Sequence, residues 1–128
     1  MRSPKTAFEF STPALAALIS LALASPVVAH ARLVFTLPVA NETTAPAPVE
    51  LRLKFSEAIE LKFTKVKLTG PQKIAIETGP PRQDPGDTTL LIVPIAAPLS
   101  DGRYTVEWQA VSTDGHKTGG AYYFDLKQ

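Results

Sequence analysis

The sequence predicts an all-β domain: an antiparallel Greek-key sandwich or closely related barrel, immunoglobulin-like, with about seven strands. Three observations carry that expectation. Apolar and polar residues alternate with a period of two in several short runs. Clusters of Pro, Gly, Asn and Asp separate the runs. No stretch beyond residue 30 shows the longer period of an amphipathic helix.

Taken in order, residues 32–36 form a first candidate strand. Val49, Leu51, Leu53 and Phe55 then alternate with Glu50, Arg52 and Lys54, the pattern of a half-buried strand. Leu61-Lys62-Phe63 and Val66-Lys67-Leu68 follow, and their parity switches near Thr64, which predicts a bulge or bend. Residues 90–93 are a continuous apolar run. Tyr104, Val106, Trp108 and Ala110 alternate with Arg103, Thr105, Glu107 and Gln109, which puts Trp108 in the core. Tyr122, Phe124 and Leu126 alternate with Tyr123, Asp125 and Lys127. The expected connectors are residues 37–48, 70–71, 78–87 and 98–102, all rich in turn-forming residues.

The beginning of the chain reads differently. Arg2 and Lys5 are followed by an apolar stretch over residues 14–24, then by Ser25-Pro26-Val27-Val28-Ala29. A basic start, a short apolar run and small residues three before and one before a cut are the pattern of a cleaved secretory signal. The run is about a dozen residues, and a membrane span needs roughly twenty. Residues 1–29 are therefore expected to be a signal peptide, with Val27 and Ala29 at the two small-residue positions. A single domain would occupy residues 30–128, with His30 as its first residue and no membrane insertion after cleavage.

Composition narrows the function. The chain has 13 basic and 12 acidic residues; Arg2, Lys5 and Glu9 precede residue 30, so the expected domain is balanced in charge. A nucleic-acid or anionic-membrane binder should show a basic footprint, and this domain has none. With no cysteine, neither disulfides nor thiolate metal sites can form. The single methionine is Met1, within the expected signal.

The two histidines carry the chemistry. As a first residue, His30 would offer a free amine and a ring Nδ1 able to close a six-membered chelate on one ion. An α-amine has a reference pKa of about 7.7 to 8.0, so a metal displaces its proton readily. His116 lies in Val111-Ser112-Thr113-Asp114-Gly115-His116, where a strand ends and a tight loop presents Asp114 and His116 together. Three nitrogens and a carboxylate oxygen suit a tetragonal Cu(II) site, although imidazole also suits zinc and nickel. Asp-Gly alone is a common turn, and a lone loop histidine is ordinarily just solvated. The metal reading gains its weight from both histidines falling at chelating positions.

These segments resemble the CopC copper-resistance family of the bacterial periplasm. The carriers of the resemblance are His30-Ala31-Arg32-Leu33-Val34, residues 51–57 (LRLKFSE), and residues 102–116 (GRYTVEWQAVSTDGH) with Gly119 and Phe124. It covers essentially all of residues 30–128. It implies a β-sandwich or Greek-key barrel that binds Cu(II) through the amine and ring of His30, with Asp114 and His116 completing the plane. It also implies Glu57 near the metal, as a weak ligand or behind the ligands. Family members with two sites carry a methionine-rich loop for Cu(I), since thioethers suit that soft ion. Here the matching stretch, residues 72–85, reads as proline and charge, so the resemblance is to the Cu(II)-only members.

The expected function is that of a periplasmic Cu(II) carrier or buffer in copper homeostasis and resistance, not an enzyme. The resemblance implies a CopD-like inner-membrane copper protein as partner. Two alternatives remain open: a structural β-sandwich module without metal, and a small copper oxygenase using an N-terminal histidine brace.

Overall fold

Alternation along the chain becomes two sheets in the computed structural model, which describes residues 3–4 and 30–128. The expected signal segment, apart from Ser3 and Pro4, lies outside the described residues. Nine strands follow one another: β1 Leu33–Leu37, β2 Thr43–Thr44, β3 Glu50–Phe55, β4 Lys65–Thr69, β5 Ala75–Ile76, β6 Arg82–Asp84, β7 Asp87–Pro94, β8 Gly102–Val111 and β9 Lys117–Leu126. One sheet has the order β1-β3-β7-β6 and the other β2-β9-β8-β4-β5. All pairings are antiparallel except the short parallel contact of β2 with β9. Among the described residues no helix is long and apolar enough to cross a membrane.

The inward positions are those the period of two predicts. Leu51, Leu53 and Phe55 of β3 are buried, and so are Leu91 and Val93 of β7. From the other sheet come Leu68, Tyr104, Val106, Ala110, Tyr122, Phe124 and Leu126. Burying each large apolar side chain is worth about 1.5–3 kcal/mol, and without disulfides this core is the principal stabilising term. Tyr104 stacks on Phe124 with ring centroids 5.2 Å apart. Its Oη donates to the Ser100 carbonyl oxygen at 2.7 Å, which satisfies the polar end of a buried ring.

Several expectations need correction. Leu61–Phe63 is a short 3-10 turn, not a strand, and Phe63 is exposed. The parity switch near Thr64 arises from this turn rather than from a bulge within one strand. Thr64 fixes the turn: its Oγ1 donates to the Glu60 carbonyl at 2.9 Å and accepts the Val111 amide at 3.4 Å. Val49, the first residue of the alternating run, precedes β3 and is exposed. Trp108 is half-buried at the core's margin, edge-on to Phe55 at 5.3 Å. The connector over residues 78–87 contains β6, and the expected seven strands become nine because β2, β5 and β6 are only two or three residues long.

Two polar groups bear on stability. Asp87 accepts from Lys54 Nζ at 2.6 Å, from the Thr89 hydroxyl at 2.5 Å and from the Thr89 amide at 3.0 Å. The Lys54 bond, followed by those from Thr89, holds its carboxyl down to about 2. Tyr122 is buried, and its Oη has no hydrogen-bond partner among the described residues. Burial pushes its hydroxyl well above the ordinary tyrosine value.

Two outcomes are expected. A depressed carboxylate stabilises the fold above its unfolded pKa of about 3.9, and that contribution fades as pH falls through the folded value. Urea unfolding of Asp87→Asn should show a deficit against the wild type near pH 6 that shrinks between about pH 4 and pH 2. Tyr122→Phe removes an unpaired buried hydroxyl and should leave stability unchanged or raise it by up to about 1 kcal/mol. The variant should also lose the alkaline sensitivity above about pH 10 that a raised tyrosine pKa creates. The same urea titrations, extended to alkaline pH, measure both effects.

Candidate metal centre

One rim of the sandwich gathers the starts and ends of four strands. Leu33 at the start of β1 lies opposite Phe55 at the end of β3, and Val111 ends β8 opposite Lys117, which begins β9. The loop from Ser112 to His116 closes the β8–β9 hairpin at this rim. Ser112 is fully buried; its amide donates to the His116 carbonyl at 3.0 Å, and the Gly115 amide donates to the Ser112 carbonyl at 2.9 Å. Gly115 has φ of +89°, a conformation that costs other L-residues about 1–2 kcal/mol.

The loop orders its own carboxylate. Asp114 Oδ1 accepts a short hydrogen bond from Ser112 Oγ and a second from the His116 amide at 3.1 Å. Oδ2 lies 3.0 Å from Nδ1 of the His116 ring. The Ser112 bond, then the His116 amide, hold the Asp114 carboxyl down to about 2, so it is an anion at neutral pH. With Nδ1 facing Asp114, Nε2 is the ring nitrogen left for another partner.

His30 reaches the same place from just before β1. Its ring centroid lies 4.9 Å from that of His116, with the planes at 86°. Nitrogen–metal bonds of about 2 Å would put two imidazole centroids on one ion about 4.5 to 6.5 Å apart, so the spacing fits a shared ion. His30 itself is exposed, but the next residue, Ala31, is fully buried in the core. Ser56 Oγ accepts the Arg32 amide at 2.9 Å, and Thr118 Oγ1 donates to the Ala31 carbonyl at 2.7 Å.

Of the four residues singled out in the sequence, His30, Asp114 and His116 meet at this rim. Glu57 is half-buried just beyond β3 and forms no hydrogen bond or ion pair among the described residues. The segment that carries it is joined to the loop: the Thr113 amide donates to the Ala58 carbonyl at 3.2 Å, and Ile59 bridges to Ser112. Among the described residues no three His, Asp or Glu side chains form a closed group around a point that could hold an ion. The nitrogen of His30 belongs to a peptide bond in the uncut chain, and both Asp114 oxygens are engaged within the loop. Sequence reasoning missed Ser112, Ser56 and Thr118. Ser112, directly after the apolar Ala110-Val111 pair and two residues before Asp114, was the one available signal.

Comparison with known proteins bears on the family and the fold. The model of the CopC domain matches residues 33–127. Protein YobA of Escherichia coli strain K12 is 44% identical over 112 residues, which cover 87% of this chain and 90% of the relative. Copper resistance protein C of Escherichia coli is 34% identical over 117 residues, covering 84% and 89%. The crystal structure of PcoC, a methionine-rich copper resistance protein from Escherichia coli, superposes with a TM-score of 0.70 at 32% identity, covering 77% of this chain and all of that one. With a domain match spanning nearly all of the folded region and a shared two-sheet architecture, the chain belongs to the CopC family.

Proposed function

We propose that the domain, cut to begin at His30, binds one Cu(II) and carries or buffers it in the bacterial periplasm as part of copper resistance. The observation that carries this reading is the approach of the His30 and His116 rings to 4.9 Å beside an ionised Asp114. The names of relatives in the family support copper as the ion. The His30 amine and ring, Nε2 of His116 and Asp114 would be the donors. Asp114 keeps Oδ1 fixed by Ser112 and by the His116 amide, so Oδ2 is the oxygen free to turn from the imidazole to the ion. Glu57 acts from outside this set.

The donor set favours Cu(II) over Cu(I). It is nitrogen and oxygen throughout, and no methionine follows Met1, whereas PcoC is described as methionine-rich. Oxygen chemistry at copper needs an open position, and Asp114 stands where it can fill one, which favours a carrier over an oxygenase. The pattern of residues 1–29 supports export, and the receiving partner would be a CopD-like inner-membrane protein, as the resemblance implies.

Titration with Cu(II), followed by electron paramagnetic resonance, should show one tightly held type-2 ion with three nitrogens, and Cu(I) should bind poorly. Stoichiometric, tight Cu(I) binding, or copper-dependent oxygen consumption with a reductant, would overturn the reading. His116→Ala should cost far more affinity than Glu57→Ala, whose loss should not exceed the ten- to hundredfold typical of groups outside the ligand set. Retaining Ala29 converts the His30 amine to a peptide amide, which binds metal only after a much harder deprotonation. Cu(II) affinity should then fall markedly and depend more steeply on pH, while the unfolding temperature without metal stays the same. An extended protein with native affinity and spectrum would remove the amine from the ligand set.

A further inference from the structure

A chain terminus is ordinarily loose unless something ties it down, and the proposed site asks the first residue to supply two of its donors. His30 lies outside every strand and is exposed. Three contacts nevertheless hold the peptide units just after it between the two sheets. Ala31 is buried in the core. On the side of the first sheet, the Ser56 amide donates to the Arg32 carbonyl at 2.8 Å and Ser56 Oγ accepts the Arg32 amide. On the side of the second sheet, Thr118 Oγ1 donates to the Ala31 carbonyl at 2.7 Å.

Thr118 differs from the other contacts in where it starts. It stands in β9 two residues after His116, paired with Ala110 across the ladder. Its hydroxyl therefore links the backbone next to one histidine directly to the strand that begins next to the other. We infer that Thr118 is a positioning residue for the copper site: it sets the distance between the His30 donors and His116. This inference rests on the proposed Cu(II) function. A pair of donors held at the right spacing before the ion arrives need not be ordered by the ion, and such preorganisation raises affinity by cutting the ordering cost of binding.

The test uses full-length chain, exported and processed by the host, with the N-terminus verified by mass. Thr118→Val removes the hydroxyl while keeping the side chain's shape. It should lower Cu(II) affinity by about ten- to a hundredfold and change the copper hyperfine splitting in the resonance spectrum. Thr118→Ser restores the donor and should recover both. Tyr104→Phe is the control, because it deletes a different hydrogen bond of a buried residue, the one to Ser100, and should leave the copper spectrum and affinity unchanged. Native affinity and spectrum in Thr118→Val would overturn the positioning role while leaving the copper reading intact. Equal losses in Thr118→Val and Tyr104→Phe would reduce the effect to general destabilisation and overturn it as well. A wild type that begins elsewhere than His30, or that binds no Cu(II), sinks the copper reading and this inference with it.

Discussion

The continuous ladder between β8 and β9, running from Gly102 opposite Leu126 to Val111 opposite Lys117, is the constraint on which the molecule's other features hang. It supplies Tyr104, Val106, Ala110, Tyr122, Phe124 and Leu126 to the core, and so most of the second sheet's share of it. Its register also decides where the hairpin closes. Because each strand presents alternate residues to one face, a slip by one would turn the whole inner set outward. The loop at Ser112 to His116 is thus fixed in height and direction by burial many residues away.

The arrival of residue 30 at the loop has a different cause. β1 pairs with β3 and not with β9, so hydrogen bonding within its own sheet does not bring residue 30 to residue 116. The approach depends on Ala31 in the core and on Thr118, whose hydroxyl reaches across from the second sheet, while Ser56 ties the segment to its own sheet. The carboxylate of Asp114 is ordered more locally, by Ser112 and by the amide two residues on. Two scales of order meet at the rim, one built by packing and one by a single turn.

How much of this was legible in the sequence follows from the same distinction. β3, β8 and the second half of β9 could be read because each buries alternate residues on one face, and burial writes a period of two. β2, β5 and β6 could not: two or three residues are too few to show a period, and backbone pairing with longer neighbours sets their place. Leu61 and Phe63 imitated a strand by spacing alone, yet Phe63 points to solvent from a 3-10 turn. At the rim, His30, Asp114 and His116 stood out because the chain has only two histidines and both fall at positions able to chelate. Ser56, Ser112 and Thr118 did not, since hydroxyls are common and what each one does depends on a partner that only the folded chain supplies.

Among the described residues His30, Asp114 and His116 are all exposed to solvent. An ion held there would have one side open to collision. Transfer to another protein would then need neither unfolding nor the opening of a lid: incoming donors could attach before the outgoing ones let go, through a short-lived shared complex. The speed of such an exchange would be governed by encounter and by the strength of the competing donors, so tight retention and rapid delivery need not oppose each other.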